Sequence, residues 1–412
     1  MAVSLLLIIY LIFISLGLPD SMLGSIFPAI ADNLSISKDI SGYIGITVSC
    51  FTIISSLFSE KLIKKFKTGK VVSFSILLTA LGLLLFSFVR EQYWCFFLCA
   101  IPLGLGAGAI DSALNNYVAL NYKPIHMNWL HCSWGVGASI GPMIMSAFID
   151  SANQSSGWYN GILAIFFVQL AICLISFITL PLWNKVANKE KLDIDNKSIE
   201  EEPQAETKSL FKNPIFYLSI VGIFCYCALE TTTGVWSGFF FNQGKGFSTA
   251  DAARLSAMFY IGITIGRFIS GPLSLKIKEI NMIRMGESLL IVGLILALLP
   301  GSVYFSVVGF AFIGLGCAPI YPAIISLTPY RFSKAMSQKV MGLQMACAYC
   351  GNVLISPFYG LVAKNLDNYL FLPWVVLVLA LGMVVCHEII NIKLTLRDKN
   401  LTDEEKKQYL IR

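Results

Sequence analysis

The chain has 412 residues, of which 56% are hydrophobic and 13% charged, with a formal net charge of +6 and a mean hydropathy of +0.72. A soluble chain carries about 25% charged residues, whereas here the charges lie between apolar runs of about 20 residues or more, each long enough to cross a bilayer. This excludes a soluble enzyme or a nucleic-acid binder, makes the chain an all-α integral membrane protein, and turns its net charge into a statement about orientation.

Run lengths and breaks predict twelve spans, at 2–30, 40–58, 71–89, 94–120, 127–149, 158–183, 214–241, 250–275, 282–300, 303–327, 340–363 and 369–392. The first run begins at Ala2 with no charged leader and no small-residue cleavage site, so it reads as a retained span and not a signal peptide. It contains Asp20, within Gly17-Leu18-Pro19-Asp20-Ser21-Met22-Leu23-Gly24. A carboxylate at bilayer depth costs ~2.5–3.5 kcal/mol on insertion scales and marks an ion or substrate path. The connection after the second span is basic, with Lys61, Lys64, Lys65, Lys67 and Lys70 beside Glu60.

On the fourth span Gly104, Gly108, Asp111 and Asn115 fall on one helical face. The glycines admit a neighbouring helix or a ligand, and the acid and amide offer acceptors and donors beyond them. A small-residue packing seam with one polar knot fits the same stripe. On the fifth span Asn128 and His131 precede Trp134, Gly135, Gly137 and Gly141-Pro142. His131 can relay protons near neutral pH, donate a hydrogen bond to a substrate, or bond to another helix.

The longest polar stretch, 184–213, mixes Lys185, Lys189, Lys191 and Lys197 with Asp193, Asp195, Glu200, Glu201, Glu202 and Glu206, and reads as a linker or surface helix. It separates a six-span lobe at 1–183 from a second at 214–392, followed by a tail at 393–412.

On the seventh span Tyr226, Glu230, Thr233 and Ser237 form a stripe, with Trp236 to one side. A phenol, a carboxylate and hydroxyls facing one way suit a polyhydroxylated ligand, since a carboxylate accepts from vicinal hydroxyls. The hydroxyls can equally bond back to their own helix, with the aromatics anchoring at the membrane interface. Arg267 and Glu287 also lie within spans, Arg267 suiting a snorkelling or gate-pair role. On the eleventh span Gln344, Cys347 and Gly351 make a stripe beside Asn352, with Gln344 a ligand for hydroxyls. His387 and Glu388, near the end of the last span, are expected at the interface. The eleven cysteines lie nearly all in apolar runs, and Cys347 and Cys350 have no second pair, so small packing residues are the expectation and no metal or cofactor is implied.

The halves read as repeats. A shift of 210 residues carries Asp20 onto Glu230, Gly104-Leu105-Gly106 onto Gly314-Leu315-Gly316 and Gly141 onto Gly351. Duplicated halves are the construction of secondary transporters, with substrate bound near mid-membrane at the repeat interface. Lys and Arg gather in the connections after the second, fourth, eighth and tenth spans and in the tail, placing both termini and the central linker in the cytoplasm. GxxxxGK[ST], HExxH and GxSxG are absent, which disfavours an ATP-driven pump or a hydrolase.

These residues resemble the major facilitator superfamily over essentially the whole chain, and within it the fucose–galactose–glucose:proton symporter group. Asp20 is similar to that group's first-span aspartate. Gly104-Leu105-Gly106 through Asp111 and Asn115 is similar to its Gly-rich stretch with an acid and then an Asn. Glu230 resembles the seventh-span acid of glucose permease-like members, and His131 stands where a Gln is common. The superfamily's G-x-L-x-D-R-x-G loop departs here, with Glu60 for the first Gly, Lys64 for the Asp and Lys67 for the last Gly, and Leu275 stands at the Asp position in the second half. The resemblance implies twelve transmembrane helices in two pseudo-symmetric six-helix lobes, alternating access, and proton coupling through Asp20 and Asp111.

The expectation is a proton-coupled sugar importer of a cytoplasmic membrane, taking a small-molecule substrate and protons as partners, in contact with the lipid bilayer and not with nucleic acid. Asp20 and Asp111 carry the proton; Asn115, His131, Trp134, Tyr226, Glu230, Trp236 and Gln344 are the sugar-binding candidates. An exporter of drugs or metabolites would share the acids, and a non-transporting receptor or scaffold would tolerate their loss.

Overall fold

The computed structural model describes residues 2–36, 40–148, 157–183, 210–247 and 249–400. The linker expected at 184–213 therefore lies outside the described residues up to 209, as do residues 401–412 of the tail.

Twelve long helices run through the described residues: α1 (Ala2–Leu34), α2 (Ile40–Phe66), α3 (Thr68–Phe88), α4 (Cys95–Asn121), α5 (Pro124–Phe148), α6 (Trp158–Ile178), α7 (Pro214–Phe239), α8 (Thr249–Leu273), α9 (Glu279–Leu298), α10 (Val303–Ser326), α11 (Ser337–Asn365) and α12 (Leu372–Asn400). Ten are long and apolar enough to cross a membrane. The remaining two, α5 and α8, have 25 residues each and hold polar residues within their length, including Asn128 and His131 on α5 and Arg267 on α8. The fold is thus all-α and membrane-spanning, with the helices where the apolar runs lie.

Boundaries differ in two places. The basic segment expected as a loop after the second span is mostly helix: α2 continues through Phe66 and α3 begins at Thr68. The extension is supported by the Glu60–Lys64 ion pair of 2.9 Å at i, i+4. Lys67 alone joins the two helices, at φ 68° and ψ 153°. The last helix likewise continues to Asn400, so the beginning of the expected tail is helical.

The chain forms two compact units, Met1–Tyr117 with Leu130–Glu202, and Val118–Trp129 with Pro203–Arg412. In the first, Met22, Ile26, Phe27, Phe86, Phe96 and Trp158 are among the buried residues of an apolar core. In the second, Phe216, Phe332, Val340 and Ile390 belong to another.

Glycine sets the closest helix approaches. A Cβ on Gly104 would lie 2.3 Å from the Val48 carbonyl oxygen of α2, and one on Gly106 would lie 2.5 Å from that of Ser75 on α3. In the second unit a Cβ on Gly314 would lie 2.0 Å from the Phe259 carbonyl oxygen of α8, and one on Gly316 would lie 2.5 Å from that of Gly286 on α9. So α4 sits against α2 and α3 as α10 sits against α8 and α9, through glycines related by the sequence repeat. Hydroxyls of α2 finish the first seam: Thr52 Oγ1 donates to the Gly104 carbonyl at 3.2 Å and Ser56 Oγ to that of Gly108 at 3.2 Å. The glycines of the α4 stripe are therefore used for packing, while Asn115 bonds both Asp111 of its own helix and His131 of α5.

Candidate functional site

In the first unit α4 and α5 bring together three of the expected residues. Asn115, fully buried, donates from Nδ2 to Asp111 Oδ1 at 2.7 Å and to the Asp111 carbonyl at 2.9 Å. Its Oδ1 faces His131 Nε2 at 3.1 Å. Asp111 and His131 are themselves each 7% exposed. The His131 ring is packed edge-on by Phe13 of α1, with centroids 5.7 Å apart. One turn along α5 from His131, Trp134 Nε1 donates to Asp20 Oδ2 at 2.9 Å. That contact needs α1 and α5 to approach closely, and glycine permits it: a Cβ on Gly137 would lie 2.0 Å from the Ile14 carbonyl oxygen, and one on Gly17 would lie 2.2 Å from that of Trp134. Among the described residues Asp20 meets no cation. Asn128 is also buried, but its Nδ2 turns back to the Pro124 carbonyl of its own helix at 3.2 Å.

In the second unit Glu230 of α7 has a different kind of partner. Its Oε1 is 3.3 Å from Arg267 Nη2 of α8, with the two side chains 24% and 10% exposed. Tyr226 is fully buried and donates to the Cys317 carbonyl of α10 at 3.0 Å. Its ring lies 5.7 Å from that of Tyr321. Tyr226, Tyr260 and Cys317 all lie within electrostatic reach of Glu230. Next to Glu230, Thr231 Oγ1 donates to Asn352 Oδ1 of α11 at 2.8 Å. The rest of the seventh-span stripe bonds to its own helix: Thr233 to the Leu229 carbonyl at 2.7 Å and Ser237 to that of Gly234 at 3.3 Å.

Two other candidates are placed apart from Glu230 by their bonds. Trp236 donates to the Ser356 carbonyl at 2.8 Å and stacks in an aromatic group with Phe239, Tyr359 and Tyr369. Gln344 is fully buried, donating to Ser219 Oγ at 2.7 Å and accepting from Thr328 Oγ1 at 2.8 Å. It ties α11 to the first turns of α7 and to the short helix Thr328–Phe332.

A second charged group stands away from this site. His387 is 1% exposed, not at the interface as expected, and its Nδ1 lies 2.6 Å from Glu287 Oε1. Glu388 does face outward, in a bidentate pair with Arg284 at 2.7 Å. Arg331, in the short helix between spans, is buried beside this group. Burial holds its guanidinium down at about 10, opposed by the neighbouring Tyr330 and Glu287.

Sequence reasoning missed Tyr260 near Glu230, the Thr231–Asn352 bond and the packing of Tyr321 on Tyr226. Hydroxyls and amides are common in spans and carry no spacing signal. Arg267 did have a signal, as an intramembrane cation that suits an ion pair, but nothing in the sequence named Glu230 as its partner.

The chain belongs to the Major Facilitator Superfamily, whose model matches residues 9–355 and 255–408. It is a secondary transporter of that superfamily, not an enzyme. Among curated proteins it is 25% identical over 402 residues to Bypass of stop codon protein 6 of Saccharomyces cerevisiae, covering 90% of this chain and 79% of that one. It is 25% identical over 359 residues to the glucose/mannose transporter GlcP of Bacillus subtilis, covering 85% and 86%. Among solved structures the fold matches the transporter FucP in the outward conformation, with a TM-score of 0.78, 14% identity, and 93% and 98% of the two chains covered. It also matches the proton:xylose symporter XylE, with a TM-score of 0.76, 11% identity and 94% of each chain covered.

Proposed function

We propose that this transporter takes up a monosaccharide with protons across a cytoplasmic membrane, by alternating access, with both termini in the cytoplasm. The observation that carries the coupling is Asp20. It is an acid in a membrane-spanning helix, held by the neutral indole N–H of Trp134 and, among the described residues, by no cation. A proton can therefore neutralise it, and neutralisation removes the charge penalty that opposes movement through an apolar environment. Asp111 is the second coupling acid, bonded to the neutral amide of Asn115.

A sugar substrate is supported by the relatives named for glucose, mannose and galactose transport and by the chemistry of the side chains. In the first unit Trp134 offers a ring face and Asn115 and His131 offer amide and imidazole groups. In the second, Glu230 gives Oε1 to Arg267 and keeps Oε2 for a sugar hydroxyl. Tyr226 stands one turn away on α7 itself, with Tyr260 on α8 and Asn352 on α11. Trp236 and Gln344 act in this reading as structural ties.

The test is a panel of labelled hexoses and pentoses on the purified protein in liposomes, under an imposed pH gradient, a sodium gradient, or neither. One sugar accumulating only with the pH gradient is the expected result, and Asp111→Asn should abolish accumulation while preserving exchange. Accumulation driven by sodium, or efflux of an apolar drug without sugar uptake, would overturn the reading.

A further inference from the structure

The second half of α2 has two unlike faces. Thr52, Ser55, Ser56 and Ser59 are buried toward α4, where their hydroxyls bond to the carbonyls of Gly104, Leu105 and Gly108 and to the Ser112 hydroxyl. Another face carries Ile54, Phe58, Lys61, Leu62, Lys65 and Phe66, at the three- and four-residue spacing of one helical stripe. All six side chains are exposed, Phe58 by 52% and Phe66 by 46%. The stripe is apolar where it begins and gains lysines toward the helix end.

The lysines lie along the aromatic rings. Lys61 Nζ is 5.6 Å from the centroid of the Phe58 ring, and Lys65 Nζ is 5.3 Å from that of Phe66. A lysine stem that runs over apolar surface carries its ammonium to the level of the lipid headgroups. Lys67 and Lys70, also exposed, stand at the start of α3. Glu60, the acid of this segment, is taken by Lys64 at 2.9 Å. Lys61, Lys65, Lys67 and Lys70 pair with no acidic side chain among the described residues.

We propose that this stripe, with Lys67 and Lys70, is a binding surface for an anionic phospholipid. The acyl chains lie against Ile54, Phe58 and Leu62, and the headgroup phosphate sits among the four ammonium groups that have no acid of their own. Charge complementarity selects the occupant. A zwitterionic lipid offers the same chains but no net charge, and a free anion meets the lysines but leaves the apolar turns uncovered. The attraction of a lysine to an anionic headgroup fades within a Debye length, so cations gathered at one helix end add where scattered ones do not. The choice of leaflet rests on the orientation proposed above; the binding itself does not.

The test places a bimane fluorophore on Ile54→Cys, one turn before Phe58, in a full-length background stripped of other reactive thiols and reconstituted in bilayers. Brominated phosphatidylglycerol should quench it at a mole fraction about fivefold or more below that needed for brominated phosphatidylcholine. The same label on Val378→Cys, 70% exposed in a stretch of α12 without lysine or arginine, should show no preference. Lys61→Gln, Lys65→Gln, Lys67→Gln and Lys70→Gln together should abolish the preference at Ile54. So should about 1 M sodium chloride, which screens charges beyond ~3 Å and reports on the native lysines if the fourfold variant does not fold. Equal quenching by the two lipids at Ile54, an equal preference at Val378, or a preference that survives the substitutions or the salt overturns the proposal. Inorganic phosphate relieving the quenching more than chloride at matched ionic strength also overturns it, because the lysines then hold a free anion. The readout needs no sugar, so it stands apart from the outcome of the transport assay.

Discussion

At Glu230 the charge inside a span is met by the Arg267 guanidinium, 3.3 Å away. At Asp20, its counterpart in the repeat, the partner is the indole of Trp134 at 2.9 Å. An ion pair with a fixed cation and a hydrogen bond from a neutral donor are different surroundings for a carboxylate. The difference fits the roles proposed above, coupling for Asp20 and ligand or gate chemistry for Glu230. The pair also sets a test. Arg267→Gln leaves a partly buried carboxylate without its cation, and Glu230→Gln leaves the reverse; neighbours that interact couple by about 0.5–3 kcal/mol. The double variant should therefore melt at a higher temperature than Arg267→Gln alone. Strictly additive losses in a thermal-shift cycle would show that the contact carries no coupling. Arg267 was legible as an intramembrane cation, but its partner was not, because 37 residues of chain separate the two and only folding sets α7 beside α8.

Among the elements, the α2–α3 junction is tightly constrained. Lys67 links two long helices by itself, at φ 68° and ψ 153°. This is backbone that glycine adopts freely and other residues hold at a cost of order 1–3 kcal/mol. It is also where the superfamily's loop pattern ends on Gly, so the departure noted in the sequence falls on a residue under real strain. Lys67→Gly should raise the melting temperature of the purified protein, since relief of strain exceeds the roughly 0.5–1 kcal/mol that glycine's freedom in the unfolded chain costs. A lower melting temperature would mean that the Lys67 side chain contributes more than its backbone loses. The helices themselves were legible because apolar length is a property of composition. The extension of α2 to Phe66 was not, since the Lys-rich segment reads as a loop until the Glu60–Lys64 pair is seen.

For the whole molecule, the positive-inside pattern predicts which ends face the cytoplasm. A cysteine at position 197, in the polar stretch between the halves, should be protected from an impermeant thiol reagent added outside intact cells. A cysteine at position 245, after the π-helical turn Phe240–Gly244, should react. These variants belong in a background stripped of other reactive thiols. Labelling of both from outside would contradict the proposed orientation.

By itself the sequence determined the fold class, the number and order of long helices, the repeat, and which acids lie within spans. Each of these follows from local composition, since apolar length and buried charge are written residue by residue. The glycines of the 210-residue repeat also foretold close packing, and the structure shows them doing it at matching positions in the two units. Tertiary structure alone decided what each polar side chain faces. Asp111, Asn115 and His131 came together because α5 returns alongside α4. For Trp236 and Gln344, two of the sugar-binding candidates, the hydrogen bonds go to Ser356, Ser219 and Thr328. A residue's face on its own helix can be read from spacing, but the neighbour across that face is set by how helices distant in the chain pack together. The two partners of a hydrogen bond between helices are chosen by that packing, which no local spacing encodes.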